Sequence, residues 1–107
     1  MLPRHLRIKR GLYKELILGS RFVHSPHFTL RYIKIEGQKS KVGVSVSKKV
    51  AKSAVTRNTV RRRVYDCVSP YLEKYKQYLL LVVAKSGAQF VKGEKLNAEI
   101  KQLFLEL

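Results

Sequence analysis

Seven consecutive apolar residues, Tyr78 to Ala84, run without a charge or a turn former through a chain of 107 residues. A run of strand length with no polar alternation fits a strand covered on both faces. The chain therefore has to build a sheet around this segment. Helical periods lie on either side of it. From about Ala54 to Tyr75, the residues Val60, Val64, Cys67, Val68, Tyr71, Leu72 and Tyr75 recur at i, i+4, i+7 and i+8 and mark one buried stripe. Pro70 interrupts that stripe, so the helix bends there or two helices meet. A second stripe, Leu96, Ile100, Leu103, Phe104 and Leu107, follows a loop containing Gly87 and Gly93.

Towards the N-terminus, Leu12, Tyr13, Leu16 and Ile17 predict a short helix over residues 11 to 18, with Gly19 as the left-handed residue that ends it. After Ser25-Pro26, the segment from Phe28 to Ile35 alternates, with Phe28, Leu30 and Tyr32 on one face and Thr29, Arg31 and Ile33 on the other. Residues Arg21 to Val23 offer a short partner strand. Glu36 to Ser40 has turn chemistry, and Val42, Val44 and Val46 alternate beyond it, so these two strands read as a hairpin. The order of helix, two or three strands, helix, strand and helix describes an α+β sandwich with helices on a small sheet. The length suits one domain spanning residues 1–107, with residues 1–10 as an extended basic arm. Cys67 is the single cysteine, which excludes an internal disulfide and a cysteine-based zinc site, and its spacing places it in the core.

The charge points to a partner. The chain carries 23 Lys and Arg against 7 Asp and Glu, a net +16. Residues 1 to 63 hold 17 of the basic residues with only Glu15 and Glu36 against them. A surface so charged repels itself unless a polyanion screens it, and phosphate backbones reward it by releasing condensed counterions. No apolar run approaches the ~18 residues of a spanning helix, and the N-terminal segment lacks the uninterrupted apolar stretch of a signal peptide. A membrane partner is therefore not expected, and the expected location is the cytoplasm.

The densest charge lies in residues 48 to 63, with seven basic residues and no acid. A helix opening at Ala54 puts Arg57, Asn58, Arg61, Arg62 and Tyr65 on an arc beside the apolar stripe. Arginine can give two parallel hydrogen bonds to one phosphate, while Lys48, Lys49 and Lys52 act as point charges. Asn58 can meet a base edge or a ribose hydroxyl, or tie the helix to a neighbouring carbonyl.

The stretch Val42-Gly43-Val44-Ser45-Val46-Ser47-Lys48-Lys49-Val50, then Ser53-Ala54-Val55-Thr56-Arg57-Asn58 and Val60-Arg61-Arg62, resembles the protein subunit of bacterial ribonuclease P. That resemblance implies a two-layer α/β sandwich with a small mixed sheet and a left-handed βαβ crossover, where general topology would favour the right-handed sense. It implies that Lys48, Lys49, Lys52, Arg57, Asn58, Arg61 and Arg62 face the catalytic RNA subunit of the enzyme, one protein per RNA. It also implies a cleft for the single-stranded 5′ leader of precursor tRNA, with Arg10, Tyr13, Phe28, Arg31 and Tyr32 as candidates. Two positions depart from the family pattern. Thr59 stands where the third residue of an Arg-Asn-Arg motif is arginine, so one phosphate contact is missing or falls to Arg63. Leu12 and Leu16 stand where family members often have Phe, which removes rings able to stack on leader bases.

No catalytic or metal-binding constellation is legible. Glu15 and Glu36 have no acidic partner in sequence, Asp66 and Glu73 read as surface charges on a helix, and His5, His24 and His27 lack ligand spacing. His24 and His27 flank a turn, where an ordinary hydrogen-bonding role is expected. This agrees with the resemblance, which implies a non-catalytic subunit assisting removal of the leader while the RNA carries magnesium and the chemistry. The competing readings are a structural ribosomal or general RNA-binding protein, and a DNA-binding module, for which no paired helix-turn-helix is visible.

Overall fold

The computed structural model describes residues 19–35, 37 and 39–107. The predicted helix at 11 to 18 and the basic arm lie outside them. Four strands, β1 (Arg21–His24), β2 (Phe28–Lys34), β3 (Lys41–Ser45) and β4 (Tyr78–Ala84), form one sheet in the order β1-β2-β4-β3. The helices are α1 (Ala54–Val68), a single turn α2 (Tyr71–Lys74) and α3 (Glu94–Leu105), with one 3₁₀ turn at Ala88–Phe90.

The apolar run Tyr78 to Ala84 is the second strand in from one edge, antiparallel to β2 and parallel to β3. This corrects the expected hairpin between β2 and β3. The turn residues from Glu36 to Ser40 join two strands that β4 separates, and the hairpin that does form is β1 with β2. The physical reason lies in the backbone: β4 is buried on both faces, so the N–H and C=O groups along both of its edges need partners, which β2 and β3 supply. The parallel β3–β4 pair makes the α1–α2 segment a βαβ crossover.

Alternation then decides the faces. Phe28, Leu30, Val42, Val44, Leu80, Val82 and Ala84 project from one face into a core completed by Val60, Val64 and Val68 of α1 and Leu96, Ile100, Leu103 and Phe104 of α3. Tyr71 stacks on Phe104 with ring centroids 4.7 Å apart. Leu79 and Leu81 face the other way, with Ile33, Ile35 and Val83 around them.

Pro70 divides the long helical period in two. α1 ends at Val68, the Ser69 N–H still bonds the Tyr65 carbonyl at 2.9 Å, and α2 begins after Pro70. Proline has no N–H to continue the ladder but fits the start of a helix. Gly19 is helical, and it is not among the glycines at positive φ, which are Gly37, Gly87 and Gly93. Cys67 is half-buried at the seam between α1 and α3, where its Sγ lies 2.9 Å from Asn97 Oδ1. Burial raises its thiol pKa above the ordinary value, with the Asp66 charge adding to the effect.

One junction ties the β1–β2 turn to α3 and β4. Glu99 accepts from Ser25 Oγ at 2.6 Å and from the His27 backbone N–H at 2.8 Å, and pairs with His27 Nδ1 at 2.8 Å. Lys85 adds its backbone N–H to the His27 carbonyl and its Nζ to the Ser25 carbonyl. Gly87 sits against this cluster at φ +88°, and a Cβ there would come within 3.3 Å of the His27 ring. Burial by itself would raise the Glu99 pKa, but the bonds from Ser25 and His27 and the nearby His27 charge hold it below the ordinary 4.5. A depressed carboxylate pKa stabilises the fold above the unfolded value, and that contribution is lost as the pH falls through the folded value. Glu99→Gln should therefore melt several degrees lower at pH 7, and should lose less further stability than the unsubstituted chain on acidification below about pH 4.5. Thermal melts of both proteins across that range check it.

Candidate nucleic-acid interface

The helix that carries the arginines is fixed first at its start. Ser53 caps α1 by accepting from the Thr56 N–H at 3.4 Å, and the first turn contains no acid. The unpaired N–H groups of this end add partial positive charge to the loop before it. That loop turns over Lys48 and Lys49, with the Val50 and Ala51 N–H groups bonded to the Ser47 carbonyl. Lys48, Lys49 and Lys52 are all exposed.

Burial of Val60, Val64 and Val68 sets the roll of α1 and turns the basic residues away from the sheet. Asn58 and Arg62 are exposed, and Arg57, Arg61 and Arg63 are half-buried along their stems. Their heads do different things. Arg57 Nη1 donates to the Ala51 carbonyl at 3.0 Å and the Lys52 carbonyl at 2.7 Å, so it braces the lysine loop against the helix. Asn58 Oδ1 accepts from Arg61 Nη2 and so holds that guanidinium in place. Arg63 Nη1 donates to the Gln89 carbonyl at 3.1 Å, which joins α1 to the 3₁₀ turn. Thr59 Oγ1 donates back to the Val55 carbonyl at 2.9 Å within the helix. The residues predicted for RNA thus lie together on one helix and its leading loop.

The described leader candidates, Phe28, Arg31 and Tyr32, do not share one surface. Phe28 is 0% exposed in the core and has no face to offer a base. Tyr32 shares its side of the sheet, packs against the same core and meets Tyr78 edge-on at 6.2 Å. Arg31 lies on the opposite face, since neighbouring strand residues alternate. Arg10 and Tyr13 lie outside the described residues. Beside Arg31 stand two residues that were not among the leader candidates, Phe22 and His24. Phe22, 54% exposed, faces Arg31 across the β1–β2 pair, with the guanidinium 5.0 Å from the ring centroid. His24 follows on the same face, bonded to Thr29 Oγ1 at 3.0 Å. The pairing register carries this signal, and it could be read only once Arg21 to His24 was placed as a strand antiparallel to β2.

A protein-family model described as Ribonuclease P matches residues 2–107. The chain belongs to the ribonuclease P protein family. Among curated relatives, the ribonuclease P protein component of Clostridioides difficile (strain 630) is 32% identical over 101 residues, covering 88% of each chain. That of Synechococcus sp. (strain JA-2-3B'a(2-13)) is 31% identical over 109 residues, covering 96% of this chain and 82% of its own. The fold matches the RNase P protein of Staphylococcus aureus at TM-score 0.83 and 18% identity, over 94% of both chains. It matches that of Thermotoga maritima at TM-score 0.83 and 16% identity, over 94% of this chain and 96% of the other. The four-stranded mixed sheet, with α1 and α3 packed on one face among the described residues, therefore matches the fold of these ribonuclease P proteins. The Ser-Lys-Lys loop and the Arg-Asn helix, which carried the resemblance in sequence, are continuous on this fold as β3, the lysine loop and α1.

Proposed function

We propose that this chain is the protein component of ribonuclease P, which binds the catalytic RNA and assists removal of the 5′ leader from precursor tRNA. The observation that carries the reading is the division of α1 into a valine stripe buried against the sheet and a flank holding Asn58, Arg61 and Arg62, continuous with Lys48, Lys49 and Lys52. Arg57 and Asn58 organise this face from within, and Arg61, Arg62 and the lysines present charge to phosphates of the RNA. The second face of the sheet, where Phe22, His24 and Arg31 stand together, suits an unpaired leader, because a ring beside a guanidinium can hold a base and its phosphate. Among the described residues no three His, Cys, Asp or Glu side chains are grouped to hold a metal ion. The magnesium ions and the bond cleavage are assigned to the RNA subunit, with one protein on each RNA, in the cytoplasm. The protein then works by position: it neutralises the RNA and aligns the leader so that the scissile phosphate reaches the RNA's metal site. No helix among the described residues is long and apolar enough to cross a membrane.

Cleavage of a 5′-labelled precursor tRNA by the cognate catalytic RNA at low magnesium, with and without the protein, tests this. Restored cleavage at the mature 5′ end is the outcome expected. No change at any magnesium concentration would leave a general RNA-binding protein as the better description.

A further inference from the structure

Phe90 is 77% exposed, yet the turn that carries it is held firmly. Its neighbours Ala88 and Val91 are buried, and the backbone bonds Ala88 to Lys85, Phe90 to Gly87 and Val91 to Ala88 close the turn. Gly87 and Gly93, both at positive φ, bracket it. The ring is thus projected outward by a fixed backbone. A single exposed apolar side chain is ordinary on a protein surface, so its surroundings decide its meaning. Arg63, within the basic run of α1, donates to the carbonyl of Gln89, the residue immediately before Phe90. That bond ties the turn carrying the ring to the basic run of α1 through Arg63, on the flank of the valine stripe away from Arg61, and exposed Lys92 lies two residues further on.

We propose that Phe90 stacks on an unpaired base of the catalytic RNA, so that the interface extends from α1 across Arg63 onto the 3₁₀ turn. The proposal rests on the reading of this chain as the RNA-binding component of ribonuclease P. Its chemistry differs from that of the helix: the arginines take phosphates of paired or unpaired RNA, whereas an aromatic ring beside them takes a base that is out of its helix. The turn would then distinguish a site with an extruded base from a uniform duplex of equal charge.

The chain contains no tryptophan, so Phe90→Trp introduces one fluorophore at the proposed contact. Titration of this variant with the cognate catalytic RNA should quench and shift its emission, with a Kd close to that of the unsubstituted chain. Phe90→Ala should weaken that Kd roughly 5- to 100-fold with the salt dependence of binding unchanged, since no ion pair is lost. Both variants should bind a fully paired RNA duplex as the unsubstituted chain does. Equal binding of the catalytic RNA by Phe90→Ala, or a tryptophan whose emission does not respond to bound RNA, overturns the proposal and leaves the functional reading intact. Failure of the unsubstituted chain to bind the catalytic RNA removes both. A dimer of the free protein that Phe90→Ala abolishes, with RNA affinity unaltered, assigns the ring to self-association and also overturns it.

Discussion

Phe28→Ala should cost about 3–5 kcal/mol of folding free energy, the ordinary penalty for emptying a fully buried phenylalanine site. The ring is wholly enclosed on β2, with Ala84 opposite it on β4 and the helices above. Against a typical domain stability of ~5–15 kcal/mol, that is a large share of the total. Urea denaturation followed by circular dichroism should show a lower midpoint with little change in slope. Phe22→Ala is the informative companion. Its ring is exposed over Arg31, so stability should move by no more than ~0.5 kcal/mol, while affinity for a precursor tRNA carrying a leader should fall. If Phe28→Ala were as stable as the unsubstituted chain, its ring would not be core and its place among the base-stacking candidates would be restored.

For the RNA face, the double substitution Arg61→Ala/Arg62→Ala should reduce affinity for the catalytic RNA by about tenfold per arginine, the scale of a charge-assisted hydrogen bond. Removing two phosphate contacts should also reduce the slope of log K against log salt by roughly 1.4–1.8. Filter-binding titrations over a range of salt concentrations measure both quantities. Lys95→Ala/Lys101→Ala, at two exposed positions of α3, serves as a charge-matched control with a smaller effect expected. An unchanged slope in the double variant would remove the arginine helix from the interface. Arg57→Ala should behave differently, because Arg57 braces the Ala51 and Lys52 carbonyls. It should disturb the lysine loop as well as the charge.

Much of this architecture was legible because single elements announce themselves. The run Tyr78 to Ala84 fitted a strand covered on both faces, the valines of α1 follow one period, and Pro70 marks the break between two helices. The basic segment was equally plain, since charge density is a property of the chain itself. What failed was pairing. Consecutive strands are usually neighbours, and Glu36 to Ser40 has the composition of a hairpin turn, but the need to pair both backbone edges of the buried β4 overrides that local preference. Arginines that looked equivalent in sequence were also found to differ. Arg57 and Arg63 bond carbonyls while Arg61 is held by Asn58, distinctions that depend on where the loop and the 3₁₀ turn approach the helix. Glu99 gave no sequence signal at all, since its partners Ser25 and His27 are more than seventy residues away.

The position of β4 also governs when this protein can fold as it is made. The strand that sits between β2 and β3 leaves the ribosome after both of them and after α1, and before it emerges the sheet available among the described residues is the β1–β2 hairpin. A lone hairpin is marginal in water, and the valines of α1 have little to pack against. Long-range pairing of this kind holds back completion of the sheet until β4 has been made. Through that interval the seven basic residues between Lys48 and Arg63 belong to an unfolded cationic chain, able to bind any RNA at hand and to select none. A chain cut before Tyr78 would keep every arginine of the RNA face and lose the scaffold that spaces them.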